Sequence, residues 1–288
     1  MPELPEVETI KRGLEKTIID KVIADFESDW HKATNHPAKF YRAKLQGARV
    51  KGLRRRAKML IIEFNNGWSI LVHLKMTGQL IYRDKSHCLI GGHTLAFNCE
   101  QLPNKFTHAI FSFKDGSKLY FNDLRKFGWV RLYRDGEMER WIDGKQLGPE
   151  PLEREFTVKY LAARMKKRPK TKVKQFIMDN SNLVGVGNIY SDEVCFYAKV
   201  KPTRKVGTLK LPQIKIIHRG IQLILRKAIR AQGTTFSNYL NADGQEGGFV
   251  KMLKVYQRYG EKCYTCGSTI RRQKIGGRTS SFCPKCQK

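Results

Sequence analysis

The chain is short of acid: its 288 residues hold 26 Asp and Glu against 55 Lys and Arg, a formal charge of +29. An excess this large goes beyond what solubility needs and suits a polyanionic partner. Long apolar runs are missing too. No stretch approaches the ~18 residues of a membrane span, and no basic-then-apolar leader or lipidation signal is visible. These absences set membrane attachment aside and lead to the expectation of a soluble, cytoplasmic protein that meets nucleic acid. There is no internal repeat or low-complexity tract. Cysteine is sparse and odd in number, seven in all, and Cys88, Cys99 and Cys195 are scattered. That pattern suits a reducing compartment better than a disulfide framework.

Against this background four cysteines stand together. Cys263, Cys266, Cys283 and Cys286 form C-x2-C-x16-C-x2-C. Two such knuckles each offer two thiolates to one tetrahedral Zn2+ at ~2.3 Å. Four thiolates leave no open position, so a structural zinc is expected rather than a catalytic one. Ser268 to Ile275 and Arg278 to Phe282 are expected to pair as a ribbon turning at Gly276-Gly277, with Arg278 near its tip. Read alone, Arg278 is also compatible with a solvated turn residue.

The other unusual stretch is Met1-Pro2-Glu3-Leu4-Pro5-Glu6-Val7-Glu8. If Met1 is removed, the chain begins with a secondary amine whose pKa lies near ~8, so part of it is nucleophilic at neutral pH. Pro5 suits a first helical turn, and Val7, Ile10, Leu14 and Ile18 share one helical face. A docked amphipathic helix would hold Pro2 and Glu3 in place. Its dipole would lower the Glu3 pKa, whereas burial and nearby phosphates would raise it. Glu6 reads as a first-turn residue that fixes Pro2 more than as a proton-transfer group.

Beyond that helix, Lys58 to Phe64 and Trp68 to Leu74 read as a hairpin through Asn65-Asn66-Gly67. His108 to Phe113 and Lys118 to Phe121 read as another around Asp115-Gly116. Arg134 to Thr157, rich in Gly, Pro and charge, reads as a linker. Helical spacing then takes over at Val158 to Lys166, Thr171 to Asp179, Ile189 to Ala198 and Pro212 to Ala231. Two or three modules follow: a β domain at 1–133, a linker at 134–156, a helical domain at 157–248 and a zinc ribbon at 249–288.

Asn182 to Asn188 is a Gly-rich turn ending at Asn188, a good N-cap whose helix start would suit a phosphate. The basic run Lys166, Lys167, Arg168, Lys170, Lys172 and Lys174 just before it strengthens that reading. Lys58, His73, Met76, Arg125 and Phe127 lie on or beside strands. Taken singly, Lys58 reads as a solvated charge, His73 as a satisfied strand histidine, and Met76 and Phe127 as ordinary core. His87, Cys88, His93 and Cys99 are too irregularly spaced for a metal site and read as a surface loop.

Taken in order, M-P-E-L-P-E-V-E-T, R-R-A-K at Arg55 to Lys58, H-L-K-M at His73 to Met76, N-D-L-R-K-F-G at Asn122 to Gly128, M-D-N then G-V-G-N-I-Y, and the cysteine ribbon resemble the bacterial formamidopyrimidine-DNA glycosylases. The leader with Leu4 is similar to the oxidised-purine branch; in the endonuclease VIII-like branch a Gly commonly stands there. The resemblance implies an α+β multidomain fold with a helix-capped N-terminal β-sandwich, a helix–two-turn–helix domain, a C-terminal zinc β-ribbon and DNA held in the cleft between domains. It implies that Pro2 attacks the sugar C1′ and that Glu3 moves the proton of the opening ring. Lys58, His73, Asn188 and Arg278 look like phosphate ligands; Lys170, from the basic run, is expected to contact DNA as well. Met76, Arg125 and Phe127 look like the group that fills the gap left by a flipped nucleotide.

The expected activity is removal of 8-oxoguanine and formamidopyrimidines from double-stranded DNA, then β,δ-elimination at the abasic site, by a monomer. An oxidised-pyrimidine relative and a non-catalytic DNA binder are the alternatives. Leu124 and Lys126 depart from the Pro and Arg that often flank the wedge arginine. The loop Gly233 to Gly248 corresponds to the one that covers the extruded purine.

Overall fold

The computed structural model describes residues 1–92, 101–234 and 248–288. It divides into two compact units, Met1–Lys145 with Gln232–Gly248, and Gln146–Ala231 with Phe249–Lys288.

The first unit is a β-sandwich with a helix packed into its core. One sheet has five antiparallel strands in the order β1-β7-β8-β5-β6. They are β1 (Ile23–Ser28), β5 (Gly78–Arg83), β6 (Cys88–Gly92), β7 (Thr107–Phe113) and β8 (Lys118–Asp123). The other sheet runs β2-β3-β4-β9, with β2 (Val50–Arg56), β3 (Met59–Phe64), β4 (Trp68–His73) and β9 (Trp129–Arg134). Both expected hairpins form, β3 with β4 and β7 with β8. Phe26, Leu80, Phe111 and Phe121 from one sheet meet Leu60, Ile62, Val72 and Leu132 from the other in a single core.

Helix α1 (Leu4–Ile18) adds Val7, Ile10, Leu14 and Ile18 to that core, all at most 1% exposed. At ~1.5–3 kcal/mol per buried side chain, this anchorage fixes the helix start that carries Pro2 and Glu3. The approach is close: a Cβ on Gly91 would lie 2.7 Å from Ile10 Cγ1. A short helix, α2 (Ala38–Leu45), seats Tyr41 against Phe26, their rings stacked at 4.4 Å.

Two readings of this unit need correction. The stretch expected to be a linker carries a helix, α3 (Asp135–Asp143), whose Met138 and Ile142 are buried and whose Trp141 packs edge-on against Trp129. Gly136 falls in the first turn of that helix and so does not break it. The i, i+3, i+4 spacing of Met138, Trp141 and Ile142 was the better signal. Cys88, read as an incidental thiol, is disulfide-bonded. Cysteine spacing alone does not show which strands bring two sulfurs together. His93, Cys99 and most of the loop Gly233 to Gly248 lie outside the described residues.

The second unit is helical with a ribbon. It comprises α4 (Val158–Lys167), α5 (Val173–Met178), α6 (Asn188–Tyr197) and α7 (Leu211–Arg230), then β10 (Arg271–Ile275) and β11 (Arg278–Phe282). The long helix α7 buries Ile214, Ile217, Ile221, Ile224 and Leu225, and its Gly220 lets α6 approach so closely that a Cβ would sit 2.7 Å from Tyr197 Cδ1. Among the described residues no helix is long and apolar enough to cross a membrane.

A buried ion pair ties the ribbon to the helices. Lys174 Nζ lies 2.7 Å from Asp192 Oδ1, with side chains 1% and 0% exposed. Asp192 also accepts from the Ser280 hydroxyl and, at 2.9 Å, from the Ser281 amide, while Lys174 donates to the Thr279 carbonyl at 3.2 Å. Lys174, which the sequence groups with the basic run before Asn188, is an internal strut and not a surface charge.

Candidate active site and nucleic-acid interface

Pro2, Glu3 and Glu6 are all buried at the start of α1, Glu3 as its N-cap. Glu6 organises the terminus with both oxygens. Oε2 accepts from the Glu3 amide at 2.9 Å, and Oε1 accepts from the Thr234 amide at 3.0 Å and its hydroxyl at 3.1 Å. Gly233, at φ +80°, passes so close that a Cβ would lie 2.9 Å from Glu6 Oε1. One carboxylate therefore holds both the residues around Pro2 and the chain at 233–234. Glu6 thus braces the first turn, and its contact with Thr234, 228 residues away, has no signal in the sequence.

The turn between β2 and β3 presents Lys58, which is 7% exposed. Ala57 takes a left-handed conformation at φ +55°, and Arg55 pins it by donating to its carbonyl at 3.0 Å. Arg55 also donates to Glu8 of α1 at 3.1 Å. Burial works to raise the Glu8 pKa, but hydrogen bonds and charge from Arg12 and Arg55 outweigh it and hold the carboxyl below its ordinary range. The turn with Lys58 is thereby fastened to the helix with Glu3.

His73 ends β4. Its pKa is pushed down to about 3 by burial and by the charges of Lys75 and Lys58. The Lys75 amide donates to its Nδ1 at 3.0 Å, which leaves Nε2 carrying the proton. His73 is thus a neutral donor at physiological pH. Because the unfolded chain binds the proton that the folded His73 refuses, this residue's contribution to stability falls as pH drops through ~6.5 toward 3.

Met76 sits half-buried on the next turn, which is tight enough that a Cβ on Gly78 would meet the Leu74 carbonyl at 2.4 Å. Arg125 and Phe127 are exposed on the β8–β9 loop, the guanidinium carbon 4.8 Å from the ring centroid. The organiser is Asp123, fully buried. It accepts from the amides of Arg125 (3.1 Å), Phe127 (2.9 Å) and Gly128 (2.6 Å) and from the Thr77 hydroxyl. Thr77 in turn accepts from the Arg125 amide at 3.0 Å, joining this loop to the turn of Met76. The Asn-Asp pair before Leu124 carried this signal, since Asp favours such backbone-binding turns. Asp123→Asn is expected to weaken binding to abasic-site DNA about tenfold, roughly one charge-assisted hydrogen bond, with turnover at saturation less affected. Titration by fluorescence anisotropy beside single-turnover kinetics checks this.

In the second unit, Asn188 is the first residue of α6 and Gly187 holds the capping position. This corrects the expectation that Asn188 caps the helix. Its buried Oδ1 has no hydrogen-bond partner among the described residues, and the residue lines a concavity of about 380 Å³ together with Tyr256, Arg272 and Thr279. Arg278 is exposed at the start of β11, just after Gly276 and Gly277 with φ of +54° and +76°. Asp192, one turn along α6 from Asn188, is bonded to Ser280 and Ser281, two and three residues from Arg278. The buried pair thus sets Asn188 and Arg278 in register. Lys170 is exposed in the turn between α4 and α5.

The four cysteines converge, with all Sγ atoms within 4.8 Å of one another. Cys263 and Cys286 are 3.9 Å apart, and Cys266 and Cys283 are 3.4 Å apart. A ZnS4 tetrahedron with ~2.3 Å bonds has edges near ~3.8 Å, so the set fits a structural zinc. Few apolar side chains support this end of the chain: Val255 and Ile270 beside Cys263 and Cys283. Stripping zinc with a strong chelator is therefore expected to unfold the ribbon and abolish specific DNA binding, since structural zinc contributes ~10–16 kcal/mol in small modules. Zinc content, circular dichroism and binding measured together test it.

A basic sandwich with a buried acid-rich terminus stands beside a helical unit that ends in a tetrathiolate ribbon. The comparisons name the family. The N-terminal domain of formamidopyrimidine-DNA glycosylase matches residues 1–130, its H2TH domain 147–239, and the zinc finger found in FPG and IleRS 260–288. The formamidopyrimidine-DNA glycosylase of Bacillus cereus is 35% identical over 289 residues, covering 100% of this chain and 99% of that protein. Two solved structures of Lactococcus lactis Fpg, one with abasic-site DNA and one with DNA containing N7-benzyl-Fapy-dG, each match with a TM-score of 0.86 at 32% identity over 99% of both chains. The chain belongs to the formamidopyrimidine-DNA glycosylase family, whose members are DNA-repair glycosylases.

Proposed function

We propose that this protein excises oxidised purines, 8-oxoguanine and formamidopyrimidines, from double-stranded DNA and then cleaves the abasic strand, acting in the cytoplasm on the chromosome. The observation that carries this reading is the terminus: Pro2 buried beside a buried Glu3 whose amide is locked by Glu6. Neither the secondary amine nor the adjoining acid is needed merely to bind DNA. The Lactococcus lactis complexes with Fapy-type and abasic-site DNA support the substrate class.

Once Met1 is removed, the Pro2 nitrogen lone pair attacks C1′ of a nucleotide turned out of the stack. The glycosidic bond breaks, its electron pair leaving with the base, which takes up a proton. Glu3 protonates O4′ as the sugar ring opens and the iminium forms. That iminium has no N–H to lose, so it stays cationic and draws electrons from C2′. Loss of a C2′ proton expels the 3′ phosphate oxygen, and a second elimination expels the 5′ phosphate. Extruding the nucleotide costs a few kcal/mol. Met76, Arg125 and Phe127 offset that by filling the gap. Lys58 and neutral His73 of the first unit, and Asn188, Arg278 and Lys170 of the second, donate to phosphates.

The test is a duplex with one 8-oxoguanine opposite cytosine. The expected product is a one-nucleotide gap with phosphate on both ends, and Glu3→Gln should slow base release by ~10²–10⁴-fold. A duplex cleaved only at oxidised pyrimidines would favour an endonuclease VIII-like activity instead.

A further inference from the structure

The second unit contains a pocket that the proposed chemistry leaves unused, about 800 Å³ in volume, within the ~300–1,000 Å³ of ligand sites. Its floor is apolar: Phe196 and Tyr197 at the end of α6, Leu223 of α7, and Phe249 and Met252. Met252 is 49% exposed and Tyr197 36%, a paired exposure of large apolar side chains that marks interaction surfaces. The rim is basic. Lys199, Lys227, Lys251, Lys254, Lys285 and Lys288 line it, and all six are exposed. None of them forms an ion pair among the described residues. The Glu193 side chain on the wall is engaged with the amides of Lys254, Val255 and Tyr256 at 2.9–3.1 Å.

The pocket's place in the fold separates it from the phosphate donors. It lies at the C-terminal end of α6, about 14 Å along the helix axis from Asn188 at the N-terminal end. Lys285 and Lys288 belong to the second cysteine knuckle, at the far end of β11 from Arg278. A duplex backbone would use the lysines but leave the concave apolar floor uncovered. An occupant that satisfies both must carry negative charge on a segment with large apolar side chains.

We infer that this pocket docks an acidic peptide segment of a partner protein, its carboxylates on the lysine rim and two or more aliphatic or aromatic side chains on the Phe196–Met252 floor. Because the site stands apart from Asn188 and Arg278, the partner would bind the enzyme while it is engaged on DNA.

The test uses a fluorescein-labelled octapeptide of four aspartates followed by Leu-Phe-Leu-Phe, titrated with the zinc-loaded full-length protein at 0.1 M salt. Saturable binding is expected. It should weaken at least tenfold when the four apolar residues are replaced by serine, at least tenfold in Lys251→Glu/Lys285→Glu, and similarly in Met252→Asp. Presaturation with an abasic-site-analogue duplex should leave it unchanged, and both variants should retain zinc and nick 8-oxoguanine DNA at the wild-type rate. The inference is overturned if the serine peptide binds the wild-type protein as tightly as the apolar one. It is likewise overturned if the duplex displaces the peptide, or if a single-stranded thymidylate dodecamer occupies the pocket in preference to it. Should a variant lose zinc, the comparison of the two peptides on the wild-type protein still decides.

Discussion

Pro2→Gly is expected to lower turnover on 8-oxoguanine DNA by at least ~100-fold, about 2.7 kcal/mol of transition-state stabilisation, while binding of an uncleavable abasic-site analogue stays within about twofold. The variant keeps an amine at the same place on α1, because the helix is held by Val7, Ile10, Leu14 and Ile18 and not by residue 2. What it loses is the secondary amine. A primary amine forms an imine that is neutral unless protonated, so the electron sink at C1′ is weakened. Rapid-quench kinetics on processed protein, with mass spectrometry confirming that Met1 is absent, measures the change. Unchanged turnover would mean that another group is the nucleophile.

Lys174→Met is expected to destabilise the second unit by about 3–5 kcal/mol, because it leaves Asp192 charged and buried without its counterion. Lys174 and Asp192 are among the least accessible side chains in the molecule. The pair also spans three elements, α5, α6 and β11. Replacing both, as Lys174→Met/Asp192→Leu, should restore only part of the loss, since the Ser281 amide then lacks its acceptor at ~1–3 kcal/mol. Because all four tryptophans, Trp30, Trp68, Trp129 and Trp141, lie in the first unit, urea unfolding of the second unit is followed by far-ultraviolet circular dichroism and by zinc release. A loss below ~1 kcal/mol in the single variant would show that the pair is not the strut described above. Because Asn188 and Arg278 are set by the same strut, Lys174→Met should also weaken DNA binding at temperatures where the protein remains folded.

The legible parts of the chain were those with local causes. The apolar face of α1, the Asn-Gly and Asp-Gly hairpins and the Cys-x2-Cys knuckles each follow from spacing over a few residues, and all formed as expected. The order of the motifs did more: it joined Pro2, Lys58, Asn188 and the ribbon into one family pattern that no single residue supports. What could not be read depended on contacts distant in sequence. Thr234 beneath Glu6, Asp192 beneath Ser280 and Thr77 beside Asp123 are set by tertiary packing. Lys174 shows the difference most clearly: Lys166, Lys167 and Lys170 of the same basic run are exposed, and only the fold turns Lys174 inward. Helix α3 is hidden in the sequence for the opposite reason: its glycine and charges mask a short apolar stripe of Met138, Trp141 and Ile142.

The central claim is that the amine of Pro2 becomes covalently joined to the damaged nucleotide. Borohydride reduction during reaction with 8-oxoguanine duplex, followed by digestion and mass spectrometry of the adduct, tests it most directly. A sugar fragment bonded to the peptide that begins at Pro2 is the predicted result. An adduct on a lysine, or tight DNA binding with no adduct from the processed protein, would contradict it.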